Sequence, residues 1–177
     1  MFTSLSDPLV EAALNLAFGI SFAAGALAAN RRYRLNISSE SLGPVPILAS
    51  VAVGTALFAI ALLVPAPPEG SAPPGLERRT AATVLTCISV LVVAPIWEEL
   101  VFRGAVYELL RPRMGSVVAA GTGAVGFALV HVSYASAQWL ALAAGGAALS
   151  ALYIRARSIY APILAHFVIN LLLLLSL

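Results

Sequence analysis

The chain has no lysine, one cysteine (Cys87) and two histidines, and charged residues fill only 10% of its 177 positions. A single cysteine excludes a disulfide framework and a thiolate metal cluster, and leaves Cys87 as a small buried hydrophobe. So little charge leaves too little polar surface for a soluble domain of this length. All ten basic residues are arginine, a bias of coding rather than of physics. Apart from Arg103 they fall between apolar runs, so they form no basic patch for nucleic acid, in spite of a net charge of +2 and a pI near 9.0. No basic segment precedes the first apolar run, which carries Asp7 and Glu11 at its head, so no cleaved signal peptide is expected.

What is present is apolar. Hydrophobic residues make up 60% of the chain and the mean hydropathy is +0.96, the signature of a polytopic membrane protein. The expected fold is an all-α transmembrane helical bundle of about six spans. Span one runs from about Pro8 to Ala29, closed by Asn30-Arg-Arg-Tyr-Arg34, and span two from about Pro46 to Val64. The stretch from Pro65 to Thr80 is too rich in Pro and Gly for a helix and reads as a linker. Span three is Ala81 to Leu110, turned by Pro112 and Gly115; span four is Ser116 to about Val132, rich in small residues that let helices approach closely. Span five covers about Gln138 to Ile154, and span six runs from Ser158 or Pro162 to Leu177. Two units are expected, 1–79 with two helices and the linker and 80–177 with a four-helix core. No internal repeat is visible.

Arginine placement sets an orientation. Arg31, Arg32, Arg34, Arg111, Arg113, Arg155 and Arg157 fall in loops on one side of the six-span path, and Arg78 and Arg79 on the other beside Glu69 and Glu77. The positive-inside rule then puts loops one, three and five in the cytoplasm and both termini outside it.

Span three is anomalous, because Ala94-Pro-Ile-Trp-Glu-Glu-Leu-Val-Phe-Arg-Gly104 places three charges in an apolar run. Each charge near the middle of a bilayer costs about 2.5–3.5 kcal/mol, while each Leu, Ile, Val or Phe returns about 0.3–0.6. The segment must be buried against polar partners. On an α-helix Glu99 stacks with Arg103 four residues on, whereas Glu98 is rotated about 100° away and left without a countercharge. A carboxylate short of water and of a partner suits general acid or base work. Pro95 removes a backbone donor and so frees a carbonyl nearby. The chain's histidines both lie in spans: His131 shares a face with Phe127, and His166 with Asn170. A lone membrane histidine is usually a structural hydrogen-bond partner. Two of them, with a glutamate and an asparagine on three spans, point to a site. Counting along straight helices at about 1.5 Å per residue spreads the four over roughly 12–24 Å of depth.

The three clusters resemble motifs of one family. Glu98-Glu99-Leu-Val-Phe-Arg103 is similar to the Glu-Glu-x-x-x-Arg motif of the CPBP family, the CAAX-prenyl-protease and bacteriocin-processing intramembrane proteases, also called ABI or Rce1-like. Phe127-Ala-Leu-Val-His131 resembles its Phe-x-x-x-His motif, and His166-Phe-Val-Ile-Asn170 its His-x-x-x-Asn motif. The resemblance covers about Thr80 to Leu177. It implies an intramembrane endopeptidase that cuts a protein or peptide near its C-terminus or beside its membrane segment. It further implies that Glu98 activates water with His131 as partner, that His166 and Asn170 polarise the carbonyl or hold the oxyanion, and that Glu99 and Arg103 are structural support.

Two chemistries stay open: Glu98, His131 and His166 as a three-ligand site for one divalent metal such as zinc, or a metal-free site with glutamate as base. A small proton-coupled transporter and a non-catalytic immunity or scaffold protein on the same fold are the alternatives from other classes. Among substrates, bacteriocin leaders or C-terminal sorting tails of the myxosortase branch fit a lysine-free chain in a bacterial inner membrane better than prenylated CAAX proteins.

Overall fold

A computed structural model describes residues 7–33, 35, 37–64, 81–131 and 136–176. The start of the chain, Arg34, the 65–80 linker with Arg78 and Arg79, and Leu177 lie outside the described residues. All regular structure among the described residues is helical: α1 (Pro8–Tyr33), α2 (Pro44–Ala61), α3 (Ala81–Ile88), α4 (Ala94–Glu99), α5 (Tyr107–Leu129), α6 (Ser136–Ala156) and α7 (Tyr160–Leu175). Two π-helical stretches, Ser89–Val93 and Leu100–Val106, join α3 to α4 and α4 to α5. The chain is an integral membrane protein. Pro8–Tyr33, Pro44–Ala61, Ala81–Leu129 and Gln138–Ala156 are long and apolar enough to cross a bilayer, and Tyr160–Leu175 is a shorter apolar helix. Their outward faces carry exposed Leu14, Val45, Leu48, Val117 and Leu140, the surface that lipid covers.

The expected spans three and four form one helical path, from Ala81 to Leu129. The expected turn is a local break: Gly115 alone leaves helical geometry, with φ 77° and ψ 165°. A positive φ costs glycine almost nothing, so the path redirects there without a loop. Pro112 stays inside α5, one turn before that break. Cys87, expected to be buried, is only half-buried on α3.

Small residues decide which helices touch. A Cβ on Gly54 would lie 2.5 Å from the Ala165 carbonyl oxygen, so α2 can lie along α7 only with glycine there. A Cβ on Gly146 would come within 3.0 Å of the Ala124 Cα, which sets α6 against α5. One core gathers Ala26, Leu100, Tyr107, Ala119, Tyr153 and Ile159, and a second gathers Leu149, Leu152, Ala161 and Ala165.

At one end the connections are stitched together. Ile159 N–H donates to the Ser38 carbonyl at 2.8 Å, Ser39 and Ser158 form an isolated bridge, and the Ser38 hydroxyl donates to the Arg157 carbonyl. The Tyr153 hydroxyl accepts from Ser38 N–H at 3.0 Å and donates to Glu108 at 2.9 Å, and Glu108 pairs with Arg111 at 2.9 Å. This network joins the arginine-bearing connections that the charge pattern places on one side.

Candidate functional site

The site is built on the path from Ser89 to Val106, where the α-register is lost twice. Wide i→i+5 turns of this kind recur at functional sites because they re-aim side chains. In the first, Ala94 N–H donates to Ser89 O, five residues back. Continuing that register, the next donor would be residue 95, which is proline and has none. The Val90 carbonyl is thereby freed, and the Asn170 side-chain Nδ2 donates to it at 2.9 Å. Pro95 thus recruits α7 to the charged helix through a specific bond, and one Asn170 N–H remains for other partners.

Arg103 and Glu99 are the dry centre, both fully buried. Arg103 Nη1 donates to Glu99 Oε1 at 2.9 Å, Nη2 to the Gly146 carbonyl at 2.6 Å, and Nε to Ser150 Oγ at 3.3 Å. Its guanidinium carbon lies 5.0 Å from the centroid of the Phe127 ring, a cation–π distance. One side chain therefore ties the charged helix to α6 and to α5. Glu99 has a second partner that spacing could not reveal: His166 Nδ1 lies 2.9 Å from the same Oε1.

That contact fixes the imidazole. Nδ1 faces a carboxylate and so carries a proton, which turns Nε2 toward Glu98, 3.9 Å from its Oε2. His131 is held by the same logic. Its Nδ1 is 2.8 Å from the Phe127 carbonyl, an acceptor only, and its own carbonyl accepts from Trp139 Nε1 at 2.9 Å. In both histidines the acceptor facing Nδ1 puts a proton on that nitrogen. Glu98 is buried, its Oε2 has no hydrogen-bond partner among the described residues, and both imidazoles lie within its electrostatic reach.

A cavity of about 290 Å³ opens beside this group. Its wall includes Phe127 and His131 from the end of α5, Gln138 from α6, and His166 and Asn170 from α7. Glu98 is not in that wall; its Oε2 lies 3.9 Å from Nε2 of the wall residue His166. The structure thus brings His131, His166 and Asn170 to one cavity and sets Glu98 beside one of them, His166. The depth spread counted on straight helices does not separate them, because the path is not straight: it breaks at Gly115 and carries two π-helical stretches. Among the described residues no three His, Cys, Asp or Glu side chains are arranged to hold a metal ion.

Two contributions escape the motifs. Leu57, Ile60, Ala61 and Val64, at the end of α2, form an apolar wall of the cavity, although the first two helices carry no chemical signature. Gln138 is a buried amide on the wall. The only sequence signal for it is position: it heads an apolar stripe, continued by Ala141, Leu142, Gly145 and Leu149 on one face of α6.

A family model described as type II CAAX prenyl endopeptidase Rce1-like matches residues 80–172, more than half of the chain and the whole of this cluster. No curated protein and no solved structure matches the chain.

Proposed function

The chain belongs to the type II CAAX prenyl endopeptidase Rce1-like family, and from that premise we propose that it is an intramembrane endopeptidase acting on a membrane-held protein or peptide near its C-terminus or membrane segment. One observation carries the mechanism: the Glu98 Oε2, without a hydrogen-bond partner among the described residues, lies 3.9 Å from Nε2 of the cavity residue His166. That gap is too long for a direct hydrogen bond, and one water held at about 2.8 Å from both atoms fits it.

Glu98 takes a proton from such a water, with His131 as partner on the cavity side, and the water oxygen adds to the scissile carbonyl. The remaining Asn170 N–H and the His166 Nε2–H, when that ring is imidazolium, hold the oxyanion. The proton taken from water then passes to the leaving amine as the C–N bond breaks. Glu99 and Arg103 position His166 rather than react. The substrate enters against the apolar wall of α2, which makes the two N-terminal helices accessory to a catalytic core in residues 80–177. We place the protein in a bacterial inner membrane with six segments and both termini outside the cytoplasm. C-terminal sorting tails or bacteriocin leaders are the preferred substrates.

In proteoliposomes containing a pool of membrane-tethered reporter peptides with randomised C-terminal tails, Glu98→Gln and His131→Ala should abolish cleavage while protein yield stays at the wild-type level. Mass spectrometry of the released fragments checks this. Cleavage by either variant at the wild-type rate removes the mechanism, and flux of protons without cleavage by any form favours a transporter.

A further inference from the structure

A peptide bond that enters this cavity brings its own N–H and C=O into surroundings poor in water. Each group left unpaired there costs on the order of 1–3 kcal/mol. Among the described residues, the side chains that line the cavity are mostly hydrocarbon, and those that can pair with a peptide group are His131, Gln138, His166 and Asn170. The proposed chemistry occupies three of them. His131 and His166 manage protons through Nε2, and Asn170 has committed one N–H to the Val90 carbonyl at 2.9 Å.

Gln138 is the fourth, and the reaction does not use it. It sits in the first turn of α6, 7% exposed, and is followed on its own face by the apolar stripe that forms the rest of that wall. The adjoining Trp139 fixes the neighbourhood by donating to the His131 carbonyl at 2.9 Å, so Gln138 is held in register with the reactive histidine. A carboxamide offers two donors and an acceptor with two lone pairs. A partner within the protein can take part of that capacity and leave the rest for a ligand. Among side chains only Asn and Gln reproduce the N–H and C=O of a peptide unit, so a carboxamide can pair with both groups of one residue of an extended chain.

We propose that Gln138 is a substrate-positioning residue that hydrogen-bonds the substrate's main chain beside the scissile bond. This rests on the protease reading and goes beyond its motifs. It makes recognition depend on the peptide backbone as well as on the apolar side chains that α2 and α6 can receive.

The test is a coupling experiment on the full chain in proteoliposomes. The best reporter from the randomised pool is resynthesised with a single N-methyl group at each peptide nitrogen flanking the cleaved bond, and kcat and KM are measured for wild type and Gln138→Met. Removing the amide should raise KM for the unmodified reporter by about 10–100-fold, equivalent to the penalty for one unpaired backbone group. One N-methyl position should cost wild type a similar factor and cost Gln138→Met almost nothing more, because the same bond has already been lost.

Losses that multiply at every position, or a Gln138→Met enzyme within twofold of wild type, overturn the proposal. A merely structural Gln138 would give multiplying losses. If Gln138→Met does not accumulate, Gln138→Asn, which keeps the carboxamide one methylene shorter, is put through the same cycle with the same criteria. Inactivity of Glu98→Gln beside an unimpaired Gln138→Met refutes this inference alone. A wild-type protein that cleaves no reporter refutes the protease reading, and this inference with it.

Discussion

Two glutamate–arginine pairs lie on the same helical path, Glu99 with Arg103 and Glu108 with Arg111, each at 2.9 Å. Their bond lengths are equal and their surroundings are not. The first pair is fully buried, whereas the Arg111 side chain is 42% exposed. Arg103 has no water to fall back on, and its other donors are met by Gly146, Ser150 and the Phe127 face. Arg111 faces solvent and donates only one described side-chain bond. The difference separates two uses of charge in a membrane protein. A dry pair organises a buried polar core, and a wet pair closes the end where connections meet.

The largest test removes the dry cation. Arg103→Ala leaves the buried Glu99 with His166 as its one remaining described partner and empties the bonds to α6, a loss of about 3–5 kcal/mol. Folded yield in detergent, or the midpoint of thermal aggregation, should fall well below that of wild type and of Glu98→Gln. Because Glu98→Gln keeps the side-chain volume and leaves every bond of Arg103 in place, the contrast between the two variants isolates the pair. Equal yields would mean that burial of the guanidinium contributes nothing to folding.

Much of the dry region is legible in the sequence. The opposition of three charges to an apolar run requires burial, and i,i+4 spacing chooses Glu99 over Glu98 as the partner of Arg103. Three motifs at helical spacing name each polar side chain that the proposed chemistry uses, and miss Gln138. What spacing cannot show is register across helices. The contact of His166 with Glu99, and of Asn170 with Val90, depends on π-helical turns that no local propensity marks, and on Gly54 and Gly146 admitting close neighbours. Pro95 is readable as the source of a freed carbonyl, but which carbonyl depends on the π register. The apolar wall from α2 is invisible for a different reason, since a lipid-facing Leu and a cavity-facing Leu are the same letter.

The wet end is less legible still, since Tyr153 and Glu108 lie 45 residues apart and share no pattern. Tyr153→Phe sharpens the comparison at intermediate strength. The hydroxyl both donates to Glu108 Oε1 and accepts from Ser38 N–H. Its removal leaves a buried carboxylate oxygen one donor short and a backbone N–H without this acceptor, for a loss of about 1.5–3 kcal/mol. The melting midpoint should drop by less than for Arg103→Ala. Hydrogen exchange should rise first at Ser38, while cleavage by the folded fraction stays at the wild-type rate, since the cavity is walled by other residues.

The smallest effect is expected from Arg111→Ala, and it tests the comparison most sharply because the bond removed has the same length as that of Arg103. Glu108 keeps its bond from Tyr153 and lies near an end of the bundle where ions can approach. The Arg111 side chain, exposed on one side, must be ordered to make its pair. Screening and that ordering leave such a pair worth about 0–1 kcal/mol. The stability change should therefore sit near the limit of measurement and shrink further in high salt, where the loss from Arg103→Ala should not shrink. A large, salt-insensitive loss from Arg111→Ala would show that the connections at this end are as dry as the centre.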